Sequence, residues 1–135
     1  MSKIEDVCQE IIKQVDDSLG CAVVDIENGL LLGVAHNVPY FTQTYIDAVA
    51  AAAVEMFRGR TVRNVEDLIA NQRGTDTVRL IKEVQMTTEK TYHFMSIVKD
   101  KPNALVVLIT GKGANLGMGW SAVRSALVKV APLCP

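Results

Sequence analysis

The sequence predicts an α+β fold in the order helix, two strands, helix, three strands, helix. Three observations predict it. Apolar residues recur at helical spacing near the start, in the middle and at the end of the chain. Asn28-Gly29 separates two apolar runs, the strongest short-range hairpin signal because both residues tolerate positive φ. Between residues 78 and 110 the apolar runs shorten to strand length, with Glu89-Lys90 and Asp100-Lys101-Pro102-Asn103 as turns.

At 135 residues the chain suits one domain, residues 1–135, with a sizeable core. With 49% hydrophobic, 21% charged and only 5% aromatic residues, that core is built from Val, Ile, Leu and Ala. Fourteen basic residues stand against 15 acidic ones, spread along the chain and nearly balanced, so there is no electrostatic footprint for nucleic acid. The start lacks an apolar signal region, and no apolar stretch approaches the roughly 20 residues that span a bilayer, so a cytoplasmic protein without membrane contact is expected. Three cysteines without a CxxC pair fit reduced thiols: Cys8 and Cys21 as small core residues, Cys134 exposed in the tail.

Ser2 and Glu5 have capping-box spacing, and Ile4, Val7, Cys8, Ile11, Ile12, Val15 and Leu19 recur at helical intervals, predicting a first helix over 3–19. Asp16 and Asp17 close its solvent face. Residues 21–26 and 30–36 are the two strands of the Asn-Gly hairpin, flanked by Asp25 and Glu27. Thr42 or Thr44 caps a second helix reaching to about residue 58, with Gly59 behind it.

In that second helix only Asp47, Glu55 and Arg58 mark a polar stripe. Tyr45, Ile46, Val49, Ala50, Ala53, Val54, Met56 and Phe57 form an apolar arc wider than one sheet face covers. The missing cover has two sources: a second copy of the chain packed through this helix, or residues 64–71 folding back as an extra helical turn or two. The homodimer is the simpler expectation.

Residues 73–76 form a loop, and 78–88 and 91–98 a second hairpin. Tyr92, Phe94, Ser96 and Val98 fall on one face, His93, Met95 and Ile97 on the other. The unbroken apolar run 104–110 suits a central strand buried on both faces. A last helix over 116–130 turns Leu116, Trp120, Val123, Leu127 and Val130 inward.

Gly111-Lys112-Gly113-Ala114-Asn115-Leu116-Gly117, between that strand and helix, resembles a phosphate-binding loop but fails its spacing. The GxxxxGK[ST] pattern needs the lysine after the last glycine, and GxGxxG needs a different interval. Gly111 and Gly113 then serve a tight connection, Asn115 caps the helix and Gly117 permits close packing on the sheet. His36 and His93 have no Cys or carboxylate at ligand spacing, so no metal site is expected. No catalytic elbow or paired carboxylate stands out, and neither catalytic residues nor a cofactor are expected. Arg58, Arg60 and Arg63 are the one local basic cluster, either a surface for an acidic partner or a solvated helix end where cations favour the dipole.

The chain resembles the Roadblock dynein light chain family. The likeness rests on the first helix leading into Gly20-Cys21-Ala22-Val23-Val24-Asp25, the Asn28-Gly29 hairpin, the alanine-rich second helix, and the 103–110 strand followed by Ala114-Asn115-Leu116-Gly117 and the closing helix. It covers nearly the whole chain. The resemblance implies a five-stranded antiparallel sheet with helices on both faces, one long helix on one and two on the other. It also implies a homodimer in which the second helix and the third strand, about 84–88, meet their mates. The interface residues are then Tyr45, Ile46, Val49, Ala50, Ala53, Phe57, Val84, Met86 and Thr88, with Arg58, Arg60 and Arg63 toward a partner. That partner is a small Ras-like GTPase, regulated or scaffolded without catalytic residues carried over to this chain. Residues 60–77 depart from the family pattern, being longer and more polar than a short connection, and a separate helix over 60–71 at the dimer seam would alter the partner-facing surface. The reading from another class is a small-molecule sensing domain of profilin, PAS or GAF-like architecture.

Overall fold

The computed structural model describes residues 3–76 and 79–135. Its elements are α1 (Lys3–Gln14), β1 (Ser18–Asp25), β2 (Leu30–His36), α2 (Gln43–Arg58), α3 (Arg60–Arg73), β3 (Glu83–Thr87), β4 (Thr91–Val98), β5 (Lys101–Gly111) and α4 (Leu116–Val130), followed by a 3₁₀ turn, Ala131–Leu133. The five strands form one antiparallel sheet in the order β2-β1-β5-β4-β3. β5, the uninterrupted apolar strand, lies at its centre and is buried from Ala104 to Gly111.

Alternation along the strands makes two cores. Cys21, Val23, Phe94, Val106 and Leu108 pack with Ile4, Cys8 and Ile11 of α1 and Val123, Ala126 and Val130 of α4. Val24, Met95, Leu105, Val107 and Ile109 face Ile46, Ala50, Ala53 and Phe57 of α2 on the other side. Two helices therefore cover one face of the sheet and α2 the other.

Two close approaches set those distances. A Cβ on Gly33 would stand 2.6 Å from Ile4 Cγ2, and one on Gly119 2.6 Å from Phe94 Cζ, so glycine brings α1 and α4 onto the sheet at these points. Gly119, not Gly117, is the close-packing glycine of α4; Gly117 is exposed. The inward stripe shifts with it to Gly119, Ala122, Val123, Ala126 and Val130, leaving Leu116 at the rim and Trp120 and Leu127 half-buried.

Other boundaries depart from the expectations for local reasons. α1 ends at Gln14, because Asp17 adopts φ 63 and turns the chain into β1. The proposed cap at Ser2 and the strand start at Val78 lie outside the described residues. Thr42 caps α2, accepting the Tyr45 N–H at 3.2 Å, and Asn115 caps α4, accepting that of Met118 at 3.0 Å. Residues 60–73 form a complete helix rather than one or two turns, separated from α2 by Gly59 alone. Cys134 is buried, and burial pushes its thiol pKa up. Cys8 and Cys21 are buried as expected; the Cys21 pKa is raised well above its ordinary value, first by its contact with the Cys8 thiol.

Candidate interaction surface

α2 carries two apolar stripes. The inner one, Ile46, Ala50, Ala53 and Phe57, is buried on the chain's own sheet, which removes these four from the expected dimer interface. Tyr45, Ala48, Val49, Ala52 and Met56 follow at i, i+3, i+4, i+7 and i+11 spacing on an adjoining flank. Tyr45, Ala48 and Ala52 are exposed there, and Val49 and Met56 half-buried. Tyr45 stacks on Phe41 with ring centroids 4.8 Å apart. Ala48 and Ala52 escape a hydropathy reading, because alanine marks a surface only once its neighbours are known to be buried.

β3 closes one edge of the sheet and, among the described residues, pairs with β4 alone. Val84 and Met86 point to the α2 side and stay half-buried. Glu83 and Gln85 point to the α4 side, where side chains hold them. Arg124 donates two hydrogen bonds to Glu83 at 3.1 and 2.9 Å, keeping its carboxyl below the usual range, and Trp120 Nε1 donates to Gln85 at 2.8 Å. Thr88 is not a ladder residue. It closes the hairpin turn, its N–H donating to the Thr91 carbonyl at 2.9 Å. His93, opposite Met86 in β4, is half-buried, and burial lowers its pKa.

α3 is fastened to the approach to β3 by Glu66, a carboxylate only 2% exposed. Arg79 Nη1 donates to Glu66 Oε1 at 3.1 Å, and the N–H groups of Leu80 and Ile81 donate to Oε2. Arg79 Nη2 also reaches Asp67 Oδ1 at 3.2 Å. These contacts engage backbone donors that a longer β3 would have used, which is why residues 79–82 stay outside the strand and it starts at Glu83. No sequence signal marks Glu66. On the helical pattern it is one more polar residue.

The three arginines expected as a partner surface divide. Arg58 donates to the Phe57 carbonyl at 3.1 Å and to the Pro102 carbonyl at 2.7 Å, joining α2 to β5. Arg60 and Arg63 are exposed in the first turn of α3, not at a helix C-terminus, so the dipole disfavours their charges there.

The glycine loop is filled from within the chain. Asp17 Oδ2 accepts the Gly113 N–H at 2.9 Å, and a Cβ on Gly111 would run into the Asp17 carboxylate. A resident carboxylate thus takes the amide a bound phosphate would need. Lys112 lies over the Tyr92 ring, 4.8 Å from its centroid. Under α2 a half-open pocket of about 30 Å³ is lined by Ala22, Leu31, Phe41, Ile46 and Val107 among others, against the roughly 300 Å³ of a ligand pocket. Among the described residues no three His, Cys, Asp or Glu side chains are placed to hold a metal ion, and no helix is long and apolar enough to cross a membrane.

No protein-family model and no curated protein matches the sequence. Solved structures do match the fold. MglB of Myxococcus xanthus superposes with a TM-score of 0.71 at 17% identity, over 98% of this chain and 95% of that one. A Roadblock/LC7 domain from Streptomyces avermitilis gives 0.68 at 16% identity, over 96% and 95%. An MglB with a tetrameric arrangement gives 0.77 at 14% identity, over 98% and 88%.

Proposed function

We propose that this chain, which has the Roadblock/LC7 fold, works in the cytoplasm as a non-catalytic homodimeric interaction domain that binds a small Ras-like GTPase and regulates or scaffolds it. The observation that carries the reading is the pairing of an exposed apolar flank on α2 with a free sheet edge at β3, its Val84 and Met86 half-covered. A two-fold related copy answers both needs at once: β3 pairs with its mate to extend the sheet, and α2 packs on its mate through Tyr45, Ala48, Val49, Ala52 and Met56. Alanines in that stripe let two helix backbones approach closely. The tetrameric arrangement named for one MglB is consistent with self-association in this fold. The GTPase partner follows from the resemblance of the sequence to the Roadblock family together with the shared fold, and Arg60 and Arg63 remain exposed for an acidic surface on it.

The test has two steps. Light scattering at micromolar concentration is expected to give twice the mass of 14.7 kDa, and Ala52→Arg to give a monomer of unchanged helicity. Arginine is a good helix former, so the exchange at an exposed helical site costs the folded monomer within about 0.5 kcal/mol. Affinity capture from the source cell with the wild-type dimer is then expected to recover a Ras-like GTPase. A strict wild-type monomer would sink the dimer, and repeated capture without any GTPase would sink the partner.

A further inference from the structure

The sheet has a second edge, built unlike the one at β3. β2 lies outermost beside β1, and among the described residues no strand pairs with its other side. Edge strands are commonly guarded by charge or proline, which oppose the addition of a further strand. β3 and its flanks follow that rule with Lys82, Glu83, Glu89 and Lys90. β2 reads Leu30-Leu31-Leu32-Gly33-Val34-Ala35-His36, with no proline, lysine, arginine or acidic residue. Its one guard is a bulge at Leu32, where the register with β1 passes from Gly33 to Leu31.

Beyond the bulge the backbone of this edge is open. The Asn37 N–H donates to the Leu19 carbonyl at 3.2 Å, so by antiparallel alternation Ala35 and Gly33 bond inward to β1, while Val34 and His36 turn their N–H and C=O groups outward. An extended polypeptide supplies donors and acceptors at that repeat. Apolar side chains flank the row on both faces of the sheet. Leu31, Val34 and Val54 are half-buried on the α2 side, and Leu32 and Ile12 on the α1 side. The nearby charges that lack a partner have one sign. Asp25 stands opposite Leu30 at one end of β2. Asp47 is near the other end, in the helix that begins just after Phe41, whose ring lies 5.6 Å from that of His36. It shares a flank of α2 with Val54, and Val54 Cγ2 would stand 3.9 Å from a Cβ on Gly29 in the β1–β2 turn. Neither aspartate forms an ion pair among the described residues: Asp25 accepts the Glu27 N–H at 2.9 Å, and Asp47 accepts from Gln43 Nε2 at 2.8 Å. Arg58, at the end of the same helix, is taken by the carbonyls of Phe57 and Pro102.

We propose that β2 takes a sixth strand from a partner protein, an extended segment of apolar β-branched residues flanked by lysine or arginine. Its backbone bonds to Val34 and His36, its alternate side chains continue the half-covered apolar rows on the two faces, and its flanking cations reach Asp25 and Asp47. The same charges disfavour a second copy of this chain, because pairing β2 with its mate would gather the aspartates of both copies along one seam without a cation. The site lies across the sheet from β3 and uses neither the α2 stripe of the dimer nor a GTPase.

Fluorescence polarisation with the purified protein tests it, using a labelled valine–threonine peptide with lysines at both ends. Two controls accompany it, one with glutamates in place of the lysines and one with N-methylated backbone amides. The lysine peptide is expected to bind, the glutamate peptide roughly tenfold more weakly, and the N-methylated peptide not at all. His36→Pro removes an outward N–H from an exposed position without taking a donor from the β1 ladder, and is expected to lower the affinity about tenfold with the thermal midpoint little changed. Asp47→Lys, on the exposed face of α2, leaves the strand untouched and is expected to lower it about two- to fivefold. No binding of the lysine peptide, equal binding of either control, or full affinity in either variant would each overturn the proposal. A wild-type tetramer that His36→Pro reduces to a dimer would put a second copy on this edge and overturn it too. Ala52→Arg is expected to bind the lysine peptide as the wild type does, so the fate of this site is read separately from that of the dimer and of the GTPase.

Discussion

Glu66 ties α3 to the approach to β3 through a single side chain. It is buried, charged and compensated by a guanidinium and two amides, all from one segment. Glu66→Ala leaves those donors facing a gap and is expected to cost about 3 kcal/mol in urea denaturation; Glu66→Gln, which keeps an acceptor, is expected to cost less. Faster hydrogen exchange at the Leu80 and Ile81 amides in both variants would show that the loss lies at this contact. His93 makes the second prediction at this scale. Burial lowers its pKa, so the folded state disfavours the imidazolium. Stability is complete above the unfolded value of 6.5 and falls as pH drops below it toward the lower folded value. His93→Gln should flatten urea midpoints measured across that interval. Asp17 shows why such residues elude a sequence reading: its partner Gly113 is 96 positions away, and by periodicity alone Asp17 is the polar end of a helix.

Among the elements, those with a strong local period matched the sequence reading, and those controlled by a distant partner did not. β2, β4 and α4 begin and end where the periodicity places them, because a hairpin turn, alternating faces and an asparagine cap are written in neighbouring residues. α1 is shorter because Asp17 leaves the helix, and β3 is shorter because Glu66 engages the backbone before it. α3 was legible as an extra turn or two over 64–71, with a separate helix over 60–71 as the other possibility. Its exposed Val65 and Leu68 and buried Glu66 invert the usual amphipathic order, so the apolar pattern understates its length. The stripe of α4 makes the prediction at this scale. Gly119→Val should cost roughly 1–3 kcal/mol by overpacking against Phe94, with Gly117→Ala neutral or stabilising, both read from thermal midpoints. The reverse order would place Gly117 on the sheet.

For the whole molecule the question is what lies beyond the edge at β3. A dimer through β3 and the outer stripe of α2 ties stability to concentration, so the thermal midpoint of the wild type should fall on serial dilution while that of Ala52→Arg stays constant. A midpoint independent of dilution in both would leave the α2 flank as surface for a different partner. The sequence by itself determined the α+β class, the element order, the central strand and the apolar excess of α2, because these depend on hydrophobic period and turn chemistry within a few neighbouring residues. Only the tertiary structure decided which α2 residues face the sheet and which flank is left over. It alone put a carboxylate inside the glycine loop, buried Glu66, and placed the uncharged β2 at an open edge of the sheet. Those outcomes rest on contacts between residues tens of positions apart, where charge pairing and backbone hydrogen bonding act through space and leave no period along the chain.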